Sequence, residues 1–119
     1  MADEATIVYT NLKECVSMIN DCHNTCIETM VFSVEQECSP EAKYSDISHI
    51  CSLSNCADAC NASADILLRG TSHPEIVMRF CADMCDECAA NCRQFGDQKF
   101  KECAAACARC AEMCREMIQ

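Results

Sequence analysis

Residues 81–92 read Cys81-Ala82-Asp83-Met84-Cys85-Asp86-Glu87-Cys88-Ala89-Ala90-Asn91-Cys92. Ten residues later the same cysteine spacing returns in Cys103-Ala104-Ala105-Ala106-Cys107-Ala108-Arg109-Cys110-Ala111-Glu112-Met113-Cys114. In both segments cysteine recurs at intervals of four, three and four residues. At ~100° per residue those intervals keep each quartet within about a 60° arc, so each segment predicts a helix carrying one column of sulfur. The two segments look like an internal repeat, made either by duplication or by selection for one geometry.

Outward from this pair, Cys56 and Cys60 form the same i, i+4 step, and Cys15, Cys22 and Cys26 fall at i, i+7 and i+11. Thirteen of the 15 cysteines therefore belong to helical stripes. The two glycines and two prolines punctuate the chain into four helices. The first is expected from about Glu4 to Val34, and Ser39-Pro40-Glu41 offers an N-cap and a first-turn proline for the second. Gly70 ends the second as a left-handed cap, and Ser72-His73-Pro74-Glu75 has the form of a capping box opening the third. Gly96 is expected to end the third, and Asp97 to cap the fourth. Few stretches alternate with period two, and Ala, Glu, Met and Lys recur throughout. The expectation is an all-α, antiparallel up-down-up-down four-helix bundle, one domain over residues 1–119, whose cysteine columns converge on the shared axis.

A buried cysteine is ordinarily a small hydrophobe, a good account of one or two positions and a poor one of thirteen. A thiol core also forgoes the roughly 1.5–3 kcal/mol that each fully buried Leu or Phe contributes. Disulfides along one helix fail on geometry, because i, i+4 Cβ atoms stand ~5–6 Å apart where a bridge wants ~3.5–4.5 Å. Bridges between helices remain open for some pairs. A metal ion spans the larger gap with bonds of about 2.3 Å to each sulfur. Zinc on four thiolates leaves a net charge of −2 at every site, expensive to bury in stripes that hold no Lys or Arg. Copper(I) takes two or three thiolates and lets each sulfur bridge, so a cluster with about one copper per thiolate is nearly neutral. Iron–sulfur ligation uses compact groups such as C-x-x-C-x-x-C, which these columns do not resemble.

Composition narrows the class further. A net charge of −10 opposes nucleic-acid binding, and no apolar run approaches the roughly 20 residues that cross a bilayer. Met1-Ala2-Asp3-Glu4-Ala5-Thr6 has neither a basic cluster nor an apolar core, so it does not read as a secretory signal, and a cytoplasmic location with reduced thiols is expected. An enzymatic reading finds no C-x-x-C near a βαβ pattern and no partner set for a reactive thiol.

Cys22-x-x-x-Cys26, Cys56-Ala57-Asp58-Ala59-Cys60 and the two quartets resemble, over nearly the whole chain, the bacterial four-helix-bundle copper storage proteins, in particular their cytosolic branch. The resemblance implies reversible, non-catalytic storage of many copper(I) ions along the bundle interior and assembly into a homotetramer. The alternative is a zinc or mixed-metal thiolate buffer of the metallothionein kind. The expected ligands are Cys15, Cys22, Cys26, Cys56, Cys60, Cys81, Cys85, Cys88, Cys92, Cys103, Cys107, Cys110 and Cys114. His49 stands seven residues before Cys56 in the same stripe, where the resemblance implies cysteine; imidazole also binds copper, and the alternative is a cluster truncated there. Cys51, about 140° from Cys56, and Cys38 fall outside the pattern, as entrance ligands or as inert surface thiols. A copper-donor chaperone or a small thiol is the expected partner, with neither nucleic acid nor membrane.

Antiparallel pairing gathers Val8, Leu12, Leu67, Leu68, Ile76, Val77, Phe80 and Ile118 at one end, which reads as plugged. The other collects Cys26, Met30, Cys38, His49, Cys51, Cys92 and Cys103, and copper is expected to enter there. Met18, Met84, Met113 and Met117 read as core filler, with thioether hand-off as the alternative. His23 and His73 read as surface or cap residues. Leu12, Val16, Ile19, Ile27 and Val31 form a second apolar stripe on the first helix, facing either another subunit or a wider core contact. Because a metal-free core would be neutral thiol, the reduced apoprotein is expected to be folded. Its circular dichroism spectrum should be strongly helical; a coil spectrum would refute the reading.

Overall fold

The computed structural model describes residues 4–36 and 47–118, with side chains from residue 11 onward. Four helices follow one another: α1 (Glu4–Glu35), α2 (Ile47–Arg69), α3 (Pro74–Cys92) and α4 (Gln98–Met117). The expected start of the second helix at Ser39-Pro40-Glu41, together with Cys38, lies outside the described residues.

The ends of the helices follow local chemistry, with two departures from expectation. Gly70 ends α2 with φ +96°, a backbone shape that a side chain disfavours, and its N–H reaches Ile66 O at 3.0 Å. Asp97 caps α4 by accepting from Lys99 N at 2.9 Å. The capping box at Ser72 does not form: the N-cap of α3 is His73, without a side-chain cap bond, and its ring lies 3.2 Å from Glu75 Oε1. Pro74 at the first helical position explains the shift, since its fixed φ starts the helix there and leaves Ser72 one residue too early. Nor does Gly96 end α3 as a left-handed cap. The helix stops at Cys92, and a tight turn follows in which Gln94 N bonds Asn91 O and Phe95 N bonds Cys92 O.

Facing residues establish the antiparallel order. His23 meets Ala57 and Ser33 meets His49 between α1 and α2. Cys56 meets Cys85, and His49 meets Asn91, between α2 and α3. Backbone contacts run around the ring α1–α2–α3–α4–α1, and among the described residues no diagonal pair of helices touches through its backbone. The bundle therefore encloses an axis that only side chains fill.

On every helix the filling positions alternate three and four residues apart, the spacing of a bundle seam. They are Leu12, Cys15, Ile19, Cys22, Cys26, Thr29 and Ser33 on α1, and His49, Leu53, Cys56, Cys60, Ser63 and Leu67 on α2. On α3 they are Met78, Cys81, Cys85, Cys88 and Cys92, and on α4 Phe100, Cys103, Cys107, Cys110 and Cys114. Beside them lie Ala57, Ala82, Ala89, Ala104 and Ala111, each immediately after a stripe cysteine and each buried. A methyl group at these positions lets the neighbouring helix come close, and that approach brings the sulfurs together across the axis.

The second apolar stripe of α1 divides. Val16 and Ile19 are core residues, whereas Ile27 and Val31 are exposed. No helix among the described residues is long and apolar enough to cross a membrane. The cap assignments lead to a direct comparison: Asp97→Ala should lower the unfolding free energy of the reduced apoprotein by about 1 kcal/mol, and Ser72→Ala should change it by less than about 0.5 kcal/mol. Urea unfolding of both variants measures the difference.

Candidate metal centre

All thirteen stripe cysteines are at most 1% exposed, and each is a free thiol. The α3 and α4 columns each rise through eleven residue steps, so at 1.5 Å per step the sulfur-lined length is roughly 16 Å. Sulfurs approach one another across the axis. Cys22 Sγ lies 3.8 Å from Cys85 Sγ and 3.7 Å from Cys107 Sγ. Cys26 lies 3.8 Å from Cys107, and Cys56 and Cys60 each lie 3.8 Å from Cys85.

These contacts make four quartets whose sulfurs all lie within 4.8 Å of one another: Cys22, Cys26, Cys56 and Cys107; Cys22, Cys56, Cys60 and Cys85; Cys26, Cys88, Cys103 and Cys107; and Cys60, Cys81, Cys85 and Cys110. Taken in the order third, first, second and fourth, each quartet shares two members with the next, so ten thiols form one continuous chain of sites. Cys92 joins its end through Cys103 and Cys88, and Cys114 bonds Cys110, Cys15 and Cys81 at the other. A metal with bonds of about 2.3 Å needs sulfurs roughly 3.8 Å apart in a tetrahedral array and about 4.6 Å apart in a linear one. The quartets satisfy both.

Among the described residues the wall offers no fixed charge to a thiolate: its buried polar residues are Thr29, Ser33, His49 and Ser63, with no Lys or Arg. Hydrogen bonds between sulfurs accordingly shift the acidity of Cys22, Cys103, Cys107 and Cys85. Cys22 is lowered from the ordinary thiol range by hydrogen bonds from Cys107, Cys110, Cys26 and Cys56, and Cys103 by those of Cys107, Cys26, Cys88 and Cys92. Their neighbours move the other way. Cys107 is raised by its bonds with Cys103, Cys22, Cys26 and Cys56 and by burial, and Cys85 by those with Cys110, Cys22, Cys56 and Cys60 and by burial. Lowered and raised sulfurs alternate because each proton is held between neighbours, so the column titrates as one coupled set.

The two ends of the column differ from the sequence reading. At the end expected to be plugged, Leu67 and Met78 are buried, but Leu68, Ile76 and Phe80 are half-exposed or more. An apolar cleft of about 500 Å³ lies there, lined in part by Leu12, Leu67, Met78, Met117 and Ile118. The end expected to be open is filled with rings. Phe100 is fully buried, 5.7 Å from Phe32, 4.9 Å from Phe95 and 5.0 Å from His49 between centroids. His49, 2% exposed, lies in line with Cys56, donates from Nδ1 to Asn91 Oδ1 at 2.6 Å, and has Nε2 3.3 Å from Ser33 Oγ. Cys51 is exposed, as its angle from Cys56 implies.

Sequence reasoning missed the residues that bound the column: Thr29, Ser33 and Ser63, the three phenylalanines, and Asn91. The alternation of three and four residues continues through Thr29, Ser33, Ser63 and Phe100, a signal present in the sequence but followed only where it landed on cysteine. Thr29 and Ser33 donate to carbonyl oxygens one turn back, Thr25 O at 2.7 Å and Thr29 O at 2.8 Å, so their protons are spent within α1.

Raised thiols make the apoprotein sensitive to alkali. Cys26, Cys60, Cys85, Cys92, Cys107 and Cys114 hold their protons above the ordinary value of 9.0, through hydrogen bonds with neighbouring thiols and through burial. Their contribution to stability is complete below pH 9 and lost above it, as the unfolded chain's thiols ionise and the folded ones resist. Cys22, Cys56, Cys81 and Cys103 oppose this in part. Thermal unfolding of the reduced apoprotein should show a steady fall of Tm between pH 9 and pH 10.5, and a flat profile would contradict the assignment.

Comparison with known proteins agrees with this geometry. The family model for copper storage proteins matches residues 2–119. A solved structure of a protein from Nitrosospira multiformis is 32% identical with a TM-score of 0.80, covering 91% of this chain and 94% of that one. The Cu(I)-bound copper storage protein BsCsp3 is 24% identical with a TM-score of 0.82, covering 92% of this chain and 99% of its own, and shares the fold. None of the curated proteins searched matches.

Proposed function

The chain belongs to the copper storage protein family, and from that premise we propose that it holds many copper(I) ions reversibly on the thiolates along its axis. The observation that carries the reading is the overlap of the quartets: neighbouring sites share sulfur, inside a wall without fixed charge. Bridging thiolates with about one monovalent ion per sulfur leave such an interior nearly neutral. The proposed store is Cys15, Cys22, Cys26, Cys56, Cys60, Cys81, Cys85, Cys88, Cys92, Cys103, Cys107, Cys110 and Cys114. His49, Cys51 and Cys38 are its proposed entrance ligands.

Loading is ligand exchange. The bond from copper to a donor's sulfur breaks, a bond to a protein sulfur forms, and the proton of that thiol leaves. No covalent bond of a substrate changes, so the activity proposed is storage without catalysis. A cytoplasmic location, a copper-donor chaperone or small thiol as partner, and a homotetrameric assembly complete the proposal; the resemblance of the sequence supports the last.

A zinc or mixed-metal buffer is the second reading, and the overlap favours it more than separate four-thiolate sites would. Four divalent ions on the ten thiolates of the overlapping quartets would leave a net charge of only −2. Charge alone therefore does not separate the metals, whereas family membership does. Anaerobic titration of the reduced protein with copper(I) should bind on the order of one ion per stripe thiol and release about one proton per copper, measured calorimetrically in buffers of different ionisation enthalpy. Zinc in equal amount should not displace it. Retention of zinc against copper(I), or binding without proton release, would overturn the proposal.

A further inference from the structure

The stripe sulfurs are sealed from solvent, so an ion reaches them only where the wall opens. Along the axis, at the α3–α4 turn, Phe95 and Phe100 sit one turn beyond Cys92 and Cys103 and stack on each other and on His49. That end is closed by carbon surface. The side of the bundle differs. Between α2 and α3 runs a groove of about 400 Å³ whose lining includes Ser48, Cys51, Ser52, Glu87, Asn91 and Gln94. It holds Cys51, the one described cysteine outside the core. Ser52 Oγ, buried in the same wall, has no hydrogen-bond partner among the described residues.

Groove and column share one residue. Asn91 lines the groove, and its side-chain oxygen holds Nδ1 of His49. His49 leaves α2 and reaches Ser33 on α1, Asn91 on α3 and Phe100 on α4. The ring therefore joins all four helices at the level where the thiols begin. Its tie on the groove side is one hydrogen bond, to Asn91, which an incoming polar group can replace, whereas opening the axial end would expose three phenylalanine rings.

We propose that copper(I) enters from the side, through the α2–α3 groove, with Cys51 as its outer ligand and the ring of His49, latched to Asn91, as the door onto Cys88, Cys92 and Cys103. The inference rests on the storage reading and adds a route to it. A small copper–thiolate complex settles in the groove; its copper–sulfur bond breaks as the Cys51–copper bond forms, and the Cys51 proton passes to the departing donor thiolate. When His49 swings out, copper moves to a sulfur inside the column and that thiol's proton returns to Cys51. Oxidation states do not change, and each copper carried inward leaves one proton on the donor.

Ala90 is an exposed residue of α3 that lines the groove and is none of the ligands that the route needs. Ala90→Trp should fill the groove and slow stopped-flow loading from a copper(I)–glutathione complex at least tenfold, with the same number of ions bound at equilibrium. Asn91→Ala removes the latch and should speed loading severalfold, and circular dichroism checks that this variant remains folded. Loading of Ala90→Trp at the wild-type rate, or slower loading by a folded latch variant, would overturn the side route. A wild-type protein that binds no copper(I) would instead overturn the storage reading, so the two failures are distinct.

Discussion

Everything in this molecule depends on sulfurs 3.7–3.8 Å apart across a buried axis with no cation in the wall among the described residues. At that distance two thiols can share a proton or hold a metal between them, and neither arrangement leaves a bare charge in a medium that solvates charge poorly. An ion and a proton thus occupy equivalent roles. The metal-free bundle is a neutral core of S–H groups, and the loaded one exchanges those protons for monovalent ions. This is why a storage core can fold without its cargo, where a zinc finger cannot.

The spacing has a cost in packing that the sequence meets in two ways. Cysteine is small, and columns of it leave room that Leu or Phe would fill. Larger side chains return at the ends of the stripes, Leu12 and Leu67 at one and Phe100 at the other, with Ile19 and Leu53 inside. The Cys-Ala pairs draw the helices inward, since an alanine beside each of five stripe thiols offers no bulk to hold the next helix away.

The bundle ends show a second division of labour. Hydroxyl groups replace thiols at Thr29, Ser33 and Ser63, and an imidazole stands where the α2 stripe would continue. Thr29 and Ser33 spend their protons on their own helix. Thr29 and Ser33 interrupt the column of soft ligands toward His49, and Ser63 interrupts it toward the α2–α3 turn.

Much of this was written in the order of residues. Intervals of four, three and four fix sulfur on one helical face whatever surrounds the helix, because that angle is a property of a single helix. Helix count, the cap at Asp97 and the stop at Gly70 are local for the same reason. The caps at Ser72 and Gly96 were misread because two local signals competed: Pro74 started α3 later, and the turn after Cys92 ended it before Gly96 was reached. What required the folded chain was every relation between helices: which sulfurs share a quartet, that Phe32, Phe95 and Phe100 come from distant positions to close one end, that Cys51 faces a groove, and that His49 reaches three other helices. Periodicity gives a direction around one helix; distance across the axis exists only once four helices have packed.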